Sequence, residues 1–238
     1  ITGALQSASY LAMTEDAVLN SGIRFSKSQN VFSIPGNQTC CLPDGLAAEG
    51  DWSGASFFLC AGVLSETGIF ASGLQETSRQ ADRAVLELLS RFGAEVRAEN
   101  GGVFVRKSSL HGINIDAGAI PDLIPAIAAV AAYAEGETRI TNAARLRLKE
   151  SDRLHTVAET IHSLGGCAKE LPDGLVITRT PRLTGGTADS FGDHRIAMLA
   201  AVLAGGCQQP VTVLGAQCTS KSYPEFWQTL DQLKGDSL

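Results

Sequence analysis

The chain has 238 residues, of which 44% are hydrophobic and 18% charged, and its formal net charge is −6. This balance suits a globular protein with a substantial core, and it argues against a partner bound through overall charge, such as nucleic acid or an anionic membrane. The longest apolar run, residues 123–134, is too short to span a bilayer, so we expect no membrane partner. Residues 1–13 lack a basic leader followed by an apolar stretch; we therefore expect no signal peptide and a chain that begins as a fragment or processed piece would.

The first predicted elements end in an irregular segment. Residues 20–34 have the pattern of a helix that ends at Gly, followed by a strand, a polar turn and a second strand. Residues 38–51, QTCCLPDGLAAEGD, then combine turn residues with no periodicity, which predicts a domain boundary. On this interpretation residues 1–47 are the incomplete tail of one domain, and residues 48–238 form a second domain.

The rest of the chain repeats. An aspartate recurs every 71 residues, and an alanine follows each one four positions later: Asp51 and Ala55, Asp122 and Ala126, Asp193 and Ala197. The pattern of residues 20–34 also returns at 91–105 and 164–178. The spacing predicts a unit of strand, helix, strand, helix, strand, strand, present as two whole copies with partial copies on either side. The Ala- and Ser-rich helices after each aspartate are expected to pack together inside a ring of sheets.

The repeat places charged residues where strands give way to helices. Helix N-termini carry free N–H groups and a positive dipole end, and cations gather beside several of them here: Lys149, Arg153, His194, Arg195 and Lys221. Arg grips phosphate or carboxylate with a planar fork, and Lys supplies a compact charge. Facing one cleft, these residues would bind a polyanion, while Asp122 and Glu150 could move protons.

Each of these residues also has a structural interpretation. The three aspartates could be ordinary N-caps, residues 149–153 (KESDR) a solvated helix start with local ion pairs, and Lys221 a surface lysine. His111, His155 and His162 show no metal spacing and are treated as structural. Trp52, Trp227 and Tyr10 are first taken as packing residues.

The six cysteines form no CxxC pair, and no His-x-x-x-His lies near Cys40 and Cys41, so a zinc site is poorly supported. We expect reduced thiols, no structural disulfide and a cytoplasmic protein.

Three segments in this order resemble the 5-enolpyruvylshikimate-3-phosphate (EPSP) synthase family: RLKESDRL (147–154), GDHRIAM (192–198) and CTSKSYPEF (218–226). Residues 7–14, 50–58 and 120–122 support the match, which covers essentially the whole chain and corresponds to slightly more than the family's C-terminal half. The resemblance implies an α/β (α+β) fold in which βαβαββ units form an inside-out α/β barrel. It also implies transfer of the enolpyruvyl group of phosphoenolpyruvate to shikimate 3-phosphate in the shikimate pathway to aromatic amino acids, without a cofactor or metal, at a site where glyphosate binds.

The resemblance assigns roles to matching positions. Asp122 resembles the base near the shikimate 5-hydroxyl, and Glu150 the proton-transfer partner at the methylene carbon. Lys149 resembles a ligand of shikimate 3-phosphate. Further implied ligands are Arg153, Arg195 and Lys221 for phosphoenolpyruvate, Ser7 and Tyr10 for shikimate 3-phosphate, and Asp193 as a further substrate-binding position; Lys221 is also counted as catalytic. Arg145 departs from the family pattern, since some members have a substrate-contacting Asn there.

The family's N-terminal half, which carries further substrate ligands, does not match any part of this sequence. The partners implied are therefore shikimate 3-phosphate, phosphoenolpyruvate and that other half, and we expect this chain alone to have little activity. Two alternatives stay open: an enolpyruvyl transferase for another acceptor, such as UDP-N-acetylglucosamine, and a non-catalytic module of the same fold.

Overall fold

The computed structural model describes residues 8–99 and 101–235. Its α-helices are α1 (Ala8–Asn20), α2 (Trp52–Gly62), α3 (Val85–Phe92), α4 (Ile124–Tyr133), α5 (Arg153–Ser163), α6 (His194–Ala204) and α7 (Phe226–Gly235). Its strands are β1 (Ser26–Ser28), β2 (Val31–Ser33), β3 (Ile69–Ser72), β4 (Glu95–Glu99), β5 (Gly102–Arg106), β6 (Asn114–Asp116), β7 (Glu137–Thr141), β8 (Cys167–Leu171), β9 (Gly174–Thr178), β10 (Gly186–Asp189) and β11 (Val211–Leu214).

The strands form four small sheets. The largest has the order β6-β7-β9-β8, in which β6 runs parallel to β7 with Ile115 opposite Ile140, and the other pairs are antiparallel. A second sheet has the order β3-β5-β4 and is antiparallel throughout. The strands β10 and β11 pair in parallel, and β1 and β2 form a hairpin.

Three helices, α2, α4 and α6, pack against one another inside these sheets. In α4, the nine residues from Ile124 to Ala132 are all buried, and in α6 the eight from Ile196 to Leu203 are buried. A helix that is apolar on every side must be covered on every side, and the many alanines allow close approach of the neighbouring helices. The predicted α/β architecture with helices inside and sheets outside is confirmed.

The predicted repeat is complete in one unit, which runs from β6 to β9. The preceding unit has α2, β3, α3, β4 and β5, but within the described ranges no strand lies between β2 and α2. The prediction of two whole units is therefore wrong for this strand. The physical reason lies in residues 42–50, LPDGLAAEG, which combine Pro, Gly and Ala with no β-branched residue. Leu42 and Leu46 are exposed as a result, and β3 is left as an edge strand.

Residues 8–47 contribute almost nothing to the interior. Of these described residues only Ser21 is buried, and none belongs to the hydrophobic core. Their contacts with the rest of the chain include a hydrogen bond from Tyr10 to Asp122 and an ion pair of Asp16 with Arg79. No helix in the described part of the chain is long and apolar enough to cross a membrane.

Candidate active site

The site lies where the N-terminal ends of the inner helices meet. Asp51 caps α2 by accepting hydrogen bonds from two backbone N–H groups, and Asp193 caps α6 in the same way through the N–H of Arg195. The N-cap interpretation is therefore right for these two aspartates. Asp122 differs, because it lies inside a short 3-10 helix (Pro121–Leu123) that precedes α4, and its carboxylate makes no cap hydrogen bond. That carboxylate is left available to other side chains.

Arg153, the first residue of α5, connects these helix ends. Its side chain is 1% exposed and is bonded to three carboxylates. Nη1 donates to Asp122 Oδ1 at 2.7 Å, Nη2 donates to Glu150 Oε2 at 2.7 Å, and Nε donates to Asp193 Oδ2 at 2.8 Å. Because Asp122 lies just before α4 and Asp193 caps α6, the guanidinium fixes the relative placement of two helix starts. The alternative of a merely solvated helix start does not fit a buried Arg153.

Further cations surround the same carboxylates. Lys149 Nζ lies 3.0 Å from Asp122 Oδ1, and Lys221 Nζ lies 2.9 Å from Glu150 Oε1. Arg195 Nη1 donates to the backbone oxygen of Asp122 at 2.9 Å. The Lys221 side chain is 60% exposed, so it lies at the open rim of the cluster rather than within it.

The structure thus brings most of the predicted site residues into one connected cluster: Asp122, Lys149, Glu150, Arg153, Asp193, Arg195 and Lys221. Tyr10 joins it from α1, since its hydroxyl donates to Asp122 Oδ2 at 3.2 Å. Ser7 lies outside the described residues. Arg145, the position that departs from the family pattern, lies in the 3-10 helix Ala144–Leu148.

The cations lower the pKa of both predicted proton-transfer groups. Burial acts to raise the pKa of Asp122, but Arg195, Lys149 and Arg153 outweigh it and bring that pKa to about 2. Burial also acts to raise the pKa of Glu150, but the hydrogen bond from Lys221 and the charge of Arg153 outweigh it and bring that pKa to about 2. Both side chains are therefore carboxylates at neutral pH in the unliganded site. Burial, Asp82 and Asp122 raise the pKa of Tyr10 to about 12, so its hydroxyl stays a donor.

Two residues near this cluster received no role from the family resemblance, although His194 was counted among the cations at helix starts. Asp82 is 2% exposed and accepts a hydrogen bond from the hydroxyl of Ser53 at the start of α2. His194 is 5% exposed, its Nδ1 has no hydrogen-bond partner within the described residues, and burial followed by Arg195 lowers its pKa. The repeat could have identified Asp82, because its period aligns residues 81–82 with Asp152, which caps α5.

The remaining candidates have structural contacts. His162 Nε2 accepts from the backbone N–H of Ala168, and His155 Nδ1 lies 3.3 Å from a Glu170 oxygen. No group of three or more His, Cys, Asp or Glu residues suited to a metal ion occurs in the described ranges. Trp52 is fully buried, and Trp227 donates to the backbone oxygen of Ala216. All six cysteines are free thiols.

Comparison with known proteins gives this cluster a context. The family model of EPSP synthase (3-phosphoshikimate 1-carboxyvinyltransferase) matches residues 1–230. A 3-phosphoshikimate 1-carboxyvinyltransferase of Clostridium acetobutylicum is 44% identical over 237 residues, 99% of this chain and 54% of that protein. One of Methanocaldococcus jannaschii is 33% identical over 98% of this chain and 54% of that protein. The chain spans about half the length of the curated relatives it matches.

Solved structures agree with the sequence comparison. EPSP synthase from Acinetobacter baumannii superposes with a TM-score of 0.79 at 26% identity, covering 92% of this chain and 53% of that one. The enolpyruvyl transferase NikO from Streptomyces tendae has a TM-score of 0.76 at 19% identity and so shares the fold, covering 94% of this chain and 52% of that one. On the family model, the relatives and the common fold, this chain belongs to the EPSP synthase family.

Proposed function

We propose that this chain, together with the other half of the family's protein, transfers the enolpyruvyl group of phosphoenolpyruvate to the 5-hydroxyl of shikimate 3-phosphate and releases phosphate. The observation that carries the proposal is the Arg153 cluster, in which two carboxylates suited to proton transfer, Asp122 and Glu150, lie within hydrogen-bond reach of the same guanidinium. The reaction needs a base at the hydroxyl, an acid at the methylene carbon and cations for the substrates' phosphate and carboxylate groups. The relatives named above carry the name of this activity.

The contacts suggest how the roles divide. Asp122, with Tyr10 and Lys149 on its carboxylate, accepts the hydroxyl proton. Tyr10 and Lys149 are ligands of shikimate 3-phosphate, and the family resemblance adds Ser7, which is outside the described residues. Arg195 and Lys221 at the edges of the cluster bind the anionic groups of phosphoenolpyruvate. Arg153 and Asp193 are buried, so their part in substrate binding is to hold the other side chains in place.

Without substrates, the cations of the site are paired with its own carboxylates, and we expect the anionic substrates to change this pairing. Lys221 and Arg153 hold Glu150 ionised, a poor state for a proton donor. When the phosphate and carboxylate of phosphoenolpyruvate pair with Lys221, the pKa of Glu150 rises and the residue can carry the proton it delivers. Acid catalysis is thereby tied to the presence of the anionic substrate.

The second wall of the site comes from the other half. Residues 48–238 form the second domain in this proposal, and residues 1–47 belong to the first, because residues 8–47 lie outside the core. A cleft with one wall holds the two substrates in attack geometry poorly and leaves water in the site. We place the reaction in the cytoplasm, which six free thiols favour.

The test measures phosphate release from phosphoenolpyruvate in the presence of shikimate 3-phosphate. We expect little or no release with this chain alone, and release once the N-terminal half of a family member is added. In the mixture, Glu150→Gln should lower kcat by roughly 100-fold or more, the range of general acid catalysis. Glu66→Gln is the matched control, because Glu66 pairs with Lys107 in an exposed ion pair beyond the other end of α2.

Four outcomes would contradict the proposal. Full activity of the lone chain would refute the need for a second wall. An active mixture that Glu150→Gln leaves unchanged would refute the assigned acid. A mixture that uses UDP-N-acetylglucosamine in place of shikimate 3-phosphate would show a different acceptor, and a mixture inactive with both acceptors would favour a non-catalytic module.

A further inference from the structure

Asp82 lies one 71-residue period before Arg153, at the equivalent position of the preceding unit. In the complete unit, Asp152 and Arg153 begin the second helix, and Arg153 lies between the starts of α4 and α6. In the preceding unit the 3-10 helix Ala81–Ala84 begins the second helix, and Asp82 lies against the start of α2. Its charge also acts on Asp122 at the start of α4. Asp82 is therefore the counterpart of Arg153 at the next corner of the ring, with the opposite charge.

The segment that carries Asp82 is fixed firmly to α2. Gln80 accepts from the backbone N–H of Trp52 at 2.9 Å and donates to the backbone oxygen of Gly50 at 2.9 Å. The Ser53 hydroxyl donates to Asp82 Oδ2. These bonds hold the carboxylate in one place at the site end of α2.

Stability does not explain why this residue is an acid. Asp82 is 2% exposed, and among the described residues its hydrogen-bond donor is a neutral hydroxyl rather than a cation. A buried carboxylate without a paired cation costs folding free energy, and burial raises the pKa of Asp82 accordingly. An asparagine of nearly the same shape would accept the Ser53 hydroxyl without carrying a charge.

The charge of Asp82 acts on the catalytic cluster. It interacts with Arg195 and Asp122, and it raises the pKa of Tyr10 together with Asp122 and burial. The groups that act on the Asp122 carboxylate are the cations Arg195, Lys149 and Arg153 and the hydroxyl of Tyr10. Within the described residues, Asp82 makes no hydrogen bond with Asp122 and interacts with it through its charge. Glu150 and Asp193 are already bonded to Arg153. Three cations weaken Asp122 as a base, and Asp82 opposes them.

We propose that Asp82 is a positioning residue of the enolpyruvyl transfer, whose buried negative charge balances Arg195 and so keeps Asp122 able to take the proton of the acceptor hydroxyl. The inference rests on the function proposed above. Asp82 touches neither substrate. The hydroxyl proton passes to Asp122 as the oxygen bonds to the central carbon of phosphoenolpyruvate, and the methylene carbon takes its proton from Glu150.

The experiment compares Asp82→Asn with wild type in the mixture of both halves. We expect kcat to fall roughly three- to tenfold while KM for phosphoenolpyruvate changes less than about twofold, because the base is weakened and the anion ligands remain. The matched control is Glu87→Gln, which removes one exposed negative charge from α3, the helix that follows the Asp82 turn, and should leave kcat unchanged.

A thermal melt separates this role from a structural one. The raised pKa means that Asp82 binds a proton more tightly in the folded than in the unfolded chain, so its charge costs stability above that pKa and the cost disappears as the pH falls below it. Asp82→Asn should therefore have a Tm equal to or above wild type at pH 7, and the difference should shrink toward pH 4. A lower Tm at pH 7 accompanied by slower turnover would make Asp82 a structural residue and overturn the proposal, as would an unchanged kcat.

The affinity of the lone chain for inorganic phosphate, measured by phosphorus NMR, gives a result that does not depend on turnover. Removing a negative charge near Arg195 should tighten phosphate binding by about two- to fivefold in Asp82→Asn and leave it unchanged in Glu87→Gln. If the wild-type mixture is inactive, the proposed function fails, and the phosphate affinities still decide whether Asp82 acts on Arg195. Equal affinities in wild type and Asp82→Asn would overturn the inference.

Discussion

At the scale of single residues, Arg153 shows why this position needs an arginine and how a buried ion cluster affects stability. Its three bonded carboxylates lie in different directions, and the planar fork with its Nε can reach all of them at once, whereas lysine could not. Buried ion clusters seldom add net stability compared with well-packed apolar residues. The cluster is better understood as a device that fixes Asp122, Glu150 and Asp193 in one arrangement.

Replacing Arg153 by methionine should destabilise the chain by roughly 3–5 kcal/mol, because Asp193 is 0% exposed and would be left as a buried charge without its partner. Urea unfolding followed by circular dichroism would measure this free energy. Lys107→Met is the control, since Lys107 pairs with Glu66 at an exposed site, where such pairs contribute at most about 1 kcal/mol. Equal losses in the two variants would show that Asp193 does not depend on Arg153.

Motifs that carry several charges together were the most informative part of the sequence for locating the site. KESDR, GDHR and Lys221 were assigned to one site, and the structure connects them. Spacing alone could not distinguish Asp122 from the two capping aspartates, because the difference depends on the 3-10 helix that Pro121 begins. Nor could it show that Asp82 is buried, since burial there depends on how the turn packs against α2.

At the scale of elements, left-handed glycines follow the second helix of the two middle units, α3 and α5. Gly93 follows α3 with φ +94°, and Gly165 lies just beyond α5 with φ +85°. At Gly93 a side chain would also meet the backbone oxygen of Ser109 at 2.6 Å. The chain can therefore turn from α3 into β4 only if this position has no Cβ.

Gly93→Ala should destabilise the chain by roughly 2–4 kcal/mol, combining left-handed strain with a steric clash. Gly136→Ala is the matched control: φ is +87° there, but the space around a new Cβ is open, so the loss should be limited to about 1 kcal/mol of backbone strain. Chemical denaturation of both variants compares the two losses. A Gly136→Ala loss as large as that of Gly93→Ala would show that contact with Ser109 is unimportant.

Helices and hairpins were predictable because caps, turn residues and the 71-residue period agree along the chain. The strand expected before α2 was not found, although the period indicates one there. Repeat phase gives the place of an element, whereas local β-propensity and burial decide whether it forms, and residues 42–50 offer little of either. Leu42 and Leu46, which a strand would have helped to cover, are exposed.

At the scale of the whole molecule, the repeat explains why the predicted site residues gather at one end of the ring. Three inner helices in equivalent units bring their first turns together, and the residues that begin the second helices lie between them. Among the described residues, the buried apolar core lies within residues 52–226, so the ring has its own interior. Residues 8–47 contact it through polar groups such as Tyr10 and Asp16.

This division predicts the result of removing residues 1–47. The shortened chain should unfold in one cooperative transition with a Tm within roughly 4 °C of the full chain, because the deletion removes no residue of the described core and 1 kcal/mol shifts Tm by about 2–4 °C at this size. Differential scanning calorimetry on both chains makes the comparison. A control cut before residue 64 would also remove α2, whose Trp52, Phe57 and Leu59 are buried, and should abolish the transition. A large fall in Tm for the 48–238 chain would instead show that residues 1–47 are part of the same folding unit, and the proposed domain boundary would then have to lie elsewhere.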